Sequence, residues 1–145
     1  MREKSAGAII FRKDKGGIKY LVLLYGAGHW DYVKGNVEPG EEEEETLVRE
    51  AEEEAGLIDL KLVRGFKERI NYFYKSNGQT IAKEVVFYLT ETQTKDAKLS
   101  FEHKEYKWLD FDKAVKQVTY KNSKDVLKKA DRFLKKRALE KTPLL

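Results

Sequence analysis

A run of carboxylates in the first half of the chain has the composition of a cation-binding surface. Residues 41–55 contain no glycine or proline and consist largely of Glu, Leu, Ala and Arg, so they predict one helix of about three to four turns. Glu50 precedes Glu53 and Glu54 by three and four residues, which places these three carboxylates on one face of that helix. Hard oxygen ligands grouped in this way suit Mg²⁺ or Mn²⁺.

Charge alone also allows a simpler interpretation of the same segment. Glu residues in the first turn of a helix interact favourably with its dipole, which accounts for part of the run at residues 41–45. The Glu residues at 50–54 lie at the other end of the helix, where the dipole and repulsion between like charges both oppose them. An acidic helix face that is merely solvated is therefore the alternative to a cation site.

The wider spacing of residues distinguishes these interpretations. Gly35 is followed after five residues by Glu41, and after seven more by the run REAEEEAGL at residues 49–57. This pattern resembles the Nudix box, the signature of hydrolases that cleave nucleoside diphosphates linked to another group. Ala51 alone departs from it, because a bulky aliphatic residue is usual there. The resemblance favours a cation site over a solvated face.

The resemblance implies specific roles for the acidic residues. It implies that Glu50, Glu53 and Glu54 ligate a divalent cation, Mg²⁺ or alternatively Mn²⁺, and that the backbone carbonyl of Lys34 joins them. Cleavage of a phosphoanhydride requires neutralised phosphate oxygens, a positioned water and a base. We expect Glu50 to be the base, with Glu53 and Glu54 mainly on the metal.

Arg49 has two interpretations. It lies four residues after Glu45 and four before Glu53, so it can form an ordinary surface ion pair of little energetic value. The resemblance instead implies that Arg49 pairs with Glu41 and orients the catalytic carboxylates. We expect this supporting role in catalysis.

Beyond the box, the chain resembles one branch of the family, the asymmetrical diadenosine tetraphosphate hydrolases. The matching motifs, in chain order, are AGAIIFR at residues 6–12, HW followed by KG before the box, GFKERINY at 65–72, KEVVFYL at 83–89, FEHKEYKWL at 101–109 and a tyrosine between the last two helices. The resemblance implies hydrolysis of diadenosine tetraphosphate (Ap4A) to ATP and AMP.

This branch also implies residues that bind the substrate. Tyr72 and Tyr120 would stack on an adenine, and such stacking gives roughly 1–3 kcal/mol per base in other nucleic-acid sites. Lys83 and His103 would contact phosphate, and Glu102 would be an additional metal ligand or base. Each has a structural alternative: the tyrosines as core or rim residues, the lysine as a solvated guard at a sheet edge, and the histidine as a structural residue.

Two positions depart from the sequence PKGH that is common in this branch. Val33 and Asn36 stand in place of the proline and the histidine, and these departures affect the entrance loop and any role of that histidine. Related Nudix enzymes that remove pyrophosphate from RNA 5′ ends share much of the pattern and are the alternative function. A module that binds cations or RNA without catalysis is a third interpretation.

The length and composition of the chain limit the possible domain organisation, metal sites and partners. The 145 residues predict one domain over 1–145, and 41% hydrophobic residues are enough for a folded core. The absence of cysteine excludes disulfides and Cys-based metal sites. Without a long apolar run or a signal-type N-terminus, we expect a cytoplasmic monomer with no membrane partner. The Lys- and Arg-rich residues 113–141 form either a solvated helix face or an attractive surface for anionic substrate or RNA.

The elements that must position these residues can be read from hydrophobic patterning. Strands are predicted at 4–12, 18–25, 61–66, 68–75, 80–90 and 106–109, an extended piece at 30–33, and helices at 110–118 and after a capping Asn122, with fraying at 141–145. Strands on both sides of one acidic helix predict an α/β or α+β class with a mixed sheet between helices. The Nudix resemblance specifies an α/β/α sandwich.

Overall fold

The computed structural model describes residues 1–140, so the fraying predicted for 141–145 lies outside the described residues. The elements in chain order are β1 (Arg2–Asp14), β2 (Gly17–Tyr25), β3 (Trp30–Asp31), β4 (Val33–Asn36), α1 (Glu43–Ala55), β5 (Lys61–Ser76), β6 (Gln79–Glu91), β7 (His103–Leu109), α2 (Phe111–Gln117) and α3 (Lys121–Glu140). Among these residues no helix is both long and apolar enough to span a membrane.

A mixed sheet of seven strands forms the middle layer. Its main order is β3-β2-β1-β6-β5, while β4 pairs with β1 and β7 pairs with β2. β1 is antiparallel to β2 and β4 and parallel to β6. Alternate residues of β1 point to opposite faces: Ile9 packs with α2 and α3, and Ile10 packs with α1. The predicted mixed sheet between helices is therefore confirmed.

The start of α1 differs from the sequence prediction by two residues. Glu42 is the N-cap, and its backbone N–H donates to Glu45 Oε1 at 2.9 Å, so Glu41 lies outside the helix. The helix ends at Gly56, whose φ of 67° suits glycine. The spacing of Leu47, Val48, Ala51 and Ala55 predicts one buried apolar stripe, but Val48 is 49% exposed, so its place in that stripe is wrong.

The strands after α1 form a hairpin with a local irregularity. β5 is one continuous strand rather than the two that were predicted, and its pairing with β6 shifts between Leu62 and Lys67. Gly65 lies in this bulge with a φ of 99°. Because β6 lies between β1 and β5, the interpretation of Lys83 as a guard at a sheet edge is wrong.

The C-terminal helices cover the face of the sheet opposite α1. Asp110 caps α2, and its carboxylate accepts from the N–H of Lys113 at 3.0 Å. α3 begins at Lys121, so Asn122 lies within its first turn and the predicted capping role of Asn122 is wrong.

Candidate active site

The contact between β4 and α1 fixes the acidic face of the helix. Gly35 lies in β4 opposite Ala6 of β1, and the Glu50 side chain packs directly over it. A Cβ added to Gly35 would lie 2.0 Å from Glu50 Cδ, which is far inside van der Waals contact. Only glycine therefore allows Glu50 to occupy this position.

Arg49 is the centre of a network of hydrogen bonds on this face. Its Nε lies 2.7 Å from Glu41 Oε2, and its Nη1 lies 2.7 Å from Glu50 Oε1 and 3.2 Å from Glu53 Oε2. Nη2 donates to the backbone carbonyl of Asn36 at 3.1 Å. The bonds from Arg49 lower the pKa of Glu41 to about 2. The structure thus contains the Arg49–Glu41 pair that the resemblance implies, within a network much larger than an isolated surface ion pair.

Glu54 is the most buried carboxylate of the group. Its residue surface is 5% exposed, and its Oε1 accepts from the backbone N–H of Lys34 at 3.1 Å. Burial, followed by the charge of Glu50, raises the pKa of Glu54 to about 8. A carboxyl group that is buried beside another carboxylate gains stability from a nearby cation.

The carboxylate oxygens on the acidic face of α1 are suitable ligands for a divalent cation. Burial raises the pKa of Glu50 as well, although Arg49 opposes that shift. Within residues 1–140 no three acidic or histidine side chains already converge into a metal site, so joint ligation requires these side chains to reorient. Carboxylate oxygens with raised pKa values are hard ligands whose charge an ion such as Mg²⁺ would compensate.

A cavity of about 710 Å³, here called the catalytic cavity, collects most of the residues predicted for the site. It is lined by Lys34, Glu50, Glu53, Glu54, Tyr72, Lys83 and Glu102, together with Ser5, Tyr25, Gly35, Asn36, Tyr74, Ser100 and Phe101. These side chains come from β1, β2, β4, α1, β5, β6 and the turn before β7. The structure therefore brings the predicted metal ligands and the predicted phosphate-binding lysine to one place.

A second cavity of about 550 Å³, here called the aromatic cavity, contains both tyrosines predicted to bind adenine. Tyr72 of β5 lines one part, and Tyr120, which is 50% exposed, lies just before α3. The Tyr120 ring lies 5.4 Å from the His29 ring. Tyr72, Tyr74 and Lys34 also line the catalytic cavity, so the two cavities are neighbours with three shared lining residues.

Lys34 connects the two cavities through different groups. Its backbone N–H bonds Glu54, whereas its ammonium pairs with the buried Asp31 carboxylate at 3.0 Å. Burial disfavours the charge of Lys34, but the attraction to Asp31 outweighs it and raises the pKa of Lys34. The backbone and the side chain of Lys34, just before the box, are therefore fixed by two different carboxylates.

Lys83 is held inside the catalytic cavity rather than in solvent. Its side chain is 10% exposed, and its Nζ lies 2.7 Å from Asn36 Oδ1 and 3.4 Å from Glu3 Oε1. Burial lowers the pKa of Lys83, against the opposing attraction of Glu3. Asn36 also accepts from Ser5 Oγ at 3.0 Å, so it orients the lysine from a fixed position.

His103 lies beside Glu54 and is buried. Its side chain is completely buried, with Nε2 3.4 Å from Glu54 Oε2 and Nδ1 3.1 Å from Ser100 Oγ. His103 is not among the residues that line the catalytic cavity, so its contact with phosphate stays a prediction.

Sequence reasoning missed several residues that line these cavities. Tyr25 and His29 flank the loop at residues 26–28; their rings stack at 4.7 Å, and the His29 ring lies beside Tyr120. The period of two in β5 places Tyr74 on the same face as Tyr72 and could have identified it. Phe101 begins the segment FEHKEYKWL, but only the tertiary fold shows that it lines the catalytic cavity.

Comparisons with known proteins agree with this geometry. The NUDIX domain model matches residues 1–130. The asymmetrical bis(5′-nucleosyl)-tetraphosphatase of Sus scrofa is 36% identical over 146 residues, covering 92% of this chain and 97% of that protein. The crystal structure of a C. elegans Ap4A hydrolase binary complex is similar with a TM-score of 0.81 and 34% identity, covering 91% of this chain and 97% of that chain. An RNA pyrophosphohydrolase of Sulfurovum is 29% identical over 116 residues, covering 73% of this chain and 74% of that protein.

Proposed function

This chain belongs to the NUDIX domain family, and from that premise we propose that it hydrolyses dinucleoside polyphosphates, converting Ap4A and water to ATP and AMP. The observation that carries the proposal is that the two cavities share Lys34, Tyr72 and Tyr74 as lining residues. An adenine between Tyr72 and Tyr120 would therefore lie beside the cavity that we assign to the phosphates and the metal. The relatives in pig and C. elegans, whose names state this activity or substrate, support the same choice.

We assign the metal to the acidic face of α1. Glu50, Glu53 and Glu54 would hold it, with Glu102 and the carbonyl of Lys34 as further ligands, and Mg²⁺ is the proposed ion with Mn²⁺ as the alternative. When bound, the cation neutralises negative charge on the phosphate oxygens.

The protein groups would then activate water and hold the substrate. Glu50 would accept the proton of the attacking water; its Oε1 is fixed by Arg49, and its Oε2 has no hydrogen-bond partner among residues 1–140. Lys83 would exchange its contact with Asn36 for a phosphate oxygen. Because all these groups come from one chain, we expect the monomer to be active.

Removing either tyrosine should weaken the binding of adenine-bearing substrates. We expect Tyr72→Ala and Tyr120→Ala each to raise KM for Ap4A by about 5- to 100-fold, since each loses one stacking surface. Tyr72→Phe and Tyr120→Phe keep the ring and are matched controls that should stay close to wild type. Unchanged KM in both alanine variants would make these tyrosines part of the scaffold.

The bond that breaks provides the direct test of the proposed reaction. Ap4A hydrolysed in ¹⁸O-labelled water should give ATP and AMP, with the label in AMP, as measured by mass spectrometry. These two products follow if the substrate is held at one end, so that the attacked phosphorus lies away from the centre of the phosphate chain. The family resemblance favours attack at the phosphorus that becomes AMP, which places the label there. Two molecules of ADP as the sole products would contradict an asymmetrical reaction.

RNA 5′ ends are the second candidate substrate. Lys121 lies on the aromatic cavity at the start of the Lys- and Arg-rich α3, where a polyanion could bind. We expect kcat/KM to be higher for Ap4A than for triphosphorylated RNA. The reverse ranking would favour RNA pyrophosphohydrolase activity, and a lack of metal-dependent turnover with either would favour a module that only binds.

A further inference from the structure

Phe101 presents an aromatic ring to solvent at the catalytic cavity. It is 97% exposed, the highest value among the large hydrophobic side chains of residues 1–140. It lines the cavity next to Glu102, one of the proposed metal ligands. An exposed aromatic side chain is unremarkable on an open surface, but here it borders the site where the phosphates would lie.

The turn that carries Phe101 is fixed at both sides. The N–H of Ser100 donates to the carbonyl of Glu54 at 3.2 Å, and the N–H of Gly26 donates to the carbonyl of Glu102 at 2.9 Å. The N–H of His103 closes the turn on the carbonyl of Ser100 at 3.2 Å. The backbone around Phe101 is thus tied to α1 and to the end of β2, so the ring projects from a supported base.

The position of Phe101 relative to the aromatic cavity is informative. Lys34, Tyr72 and Tyr74 line both cavities, whereas the turn at residues 100–102 lines only the catalytic cavity. Phe101 therefore borders the catalytic cavity outside the part that the aromatic cavity shares. It is an aromatic ring at the catalytic cavity that is separate from Tyr72 and Tyr120.

We propose that Phe101 is a stacking surface for the second nucleobase of a dinucleoside polyphosphate, the base that does not occupy the aromatic cavity. This inference rests on the proposed function. A nucleobase is neutral and has a π face, so it can lie against the ring of Phe101. The ligand class is any nucleobase, because a stacking ring offers no hydrogen bonds that select one.

The test compares a substrate with two bases and a ligand with one. Adenosine 5′-tetraphosphate has the same four phosphates as Ap4A but lacks the second adenosine. Phe101→Ala should lower kcat/KM for Ap4A by about 5-fold or more, since stacking at open sites lies at the lower end of the usual range. The inhibition constant of adenosine 5′-tetraphosphate against Ap4A hydrolysis should change by less than about twofold, because this ligand has no base for Phe101 to contact.

Two further variants separate stacking from indirect effects. Phe101→Trp keeps an aromatic face and should retain wild-type kcat/KM. Phe73→Ala is the matched control: Phe73 is 75% exposed but lines neither cavity, so neither ligand should be affected. An equal loss for both ligands in Phe101→Ala, or no loss for either, overturns the inference. Turnover of Ap4A by the wild-type protein, measured in the same series, tests the proposed function separately.

Discussion

Glu54→Gln should lower kcat for Ap4A by about 100-fold or more at saturating Mg²⁺. Removing one of the grouped carboxylates lowers the negative charge that holds the cation, and the loss of metal-based charge stabilisation is worth several kcal/mol. Glu53→Gln should act in the same direction. Near-normal turnover in either folded variant would show that this face of α1 does not hold the catalytic metal.

The stability of Glu54→Gln provides an independent measurement on the same group. The pKa of Glu54 is raised from 4.5 to about 8, so the folded protein disfavours the ionised carboxylate. The contribution of protonated Glu54 to the free energy of unfolding is fully present below about pH 4.5. It is lost as pH rises through about 8, because the buried carboxyl group then ionises in the folded protein. Without metal at pH 8, the neutral Gln variant should therefore have a Tm at or above that of the wild type.

Thermal denaturation in EDTA between about pH 5 and pH 9 would check this sign. The difference in Tm between Glu54→Gln and the wild type should grow as pH rises, because only the wild type has an ionisable group at position 54. Added Mg²⁺ should stabilise the wild type more than the variant at pH 8. If Glu54→Gln is more stable but inactive, Glu54 serves to bind the cation and does not stabilise the fold.

Gly35→Ala should reduce kcat/KM for Ap4A by about 100-fold while the protein remains folded. The new Cβ would lie 2.0 Å from Glu50 Cδ, so the proposed base must move away from its place over β4. Small displacements of a catalytic group cost about this much in rate. Steady-state kinetics and the Tm of the purified variant measure the two effects separately.

A control and a double variant test whether the effect of Gly35→Ala passes through Glu50. Gly16→Ala is the matched control, because a Cβ there meets its nearest atom at an ordinary 3.4 Å. In the Glu50→Gln background, Gly35→Ala should cost little further activity, since the group that it displaces has already been disabled. A full additional loss in that background would assign the effect to the backbone of β4 instead.

Local sequence signals predicted the elements more accurately than their ends. The helix-favouring run gave α1, but the capping bond from Glu42 to Glu45 moved its start and left Glu41 outside. That shift matters for the site, because Glu41 is thereby free to bond Arg49. Propensity cannot distinguish a residue in the first turn from one just before it when both are glutamate.

Local sequence patterns did not predict the long-range contacts around the site. The box implied the acidic face, yet burial of His103 behind Glu54 depends on how the turn at residues 100–102 docks on α1. Likewise, the stacking of Tyr25 on His29 requires the loop between β2 and β3 to fold back. The residues implied by the resemblance mostly gather in the two cavities, whereas residues without a motif were found only through the tertiary fold.

The parallel pairing of β1 with β6 determines when the site can exist during folding. Glu3 and Lys83, which meet in this pair, are 80 residues apart in the sequence. Contacts at such separation slow folding, because a long loop must close before they form. On the ribosome, β1 with Ile9, Ile10 and Phe11 emerges long before β6 covers its open edge. The nascent chain thus carries an exposed apolar strand that can aggregate, and catalysis must wait until most of the polypeptide has been made.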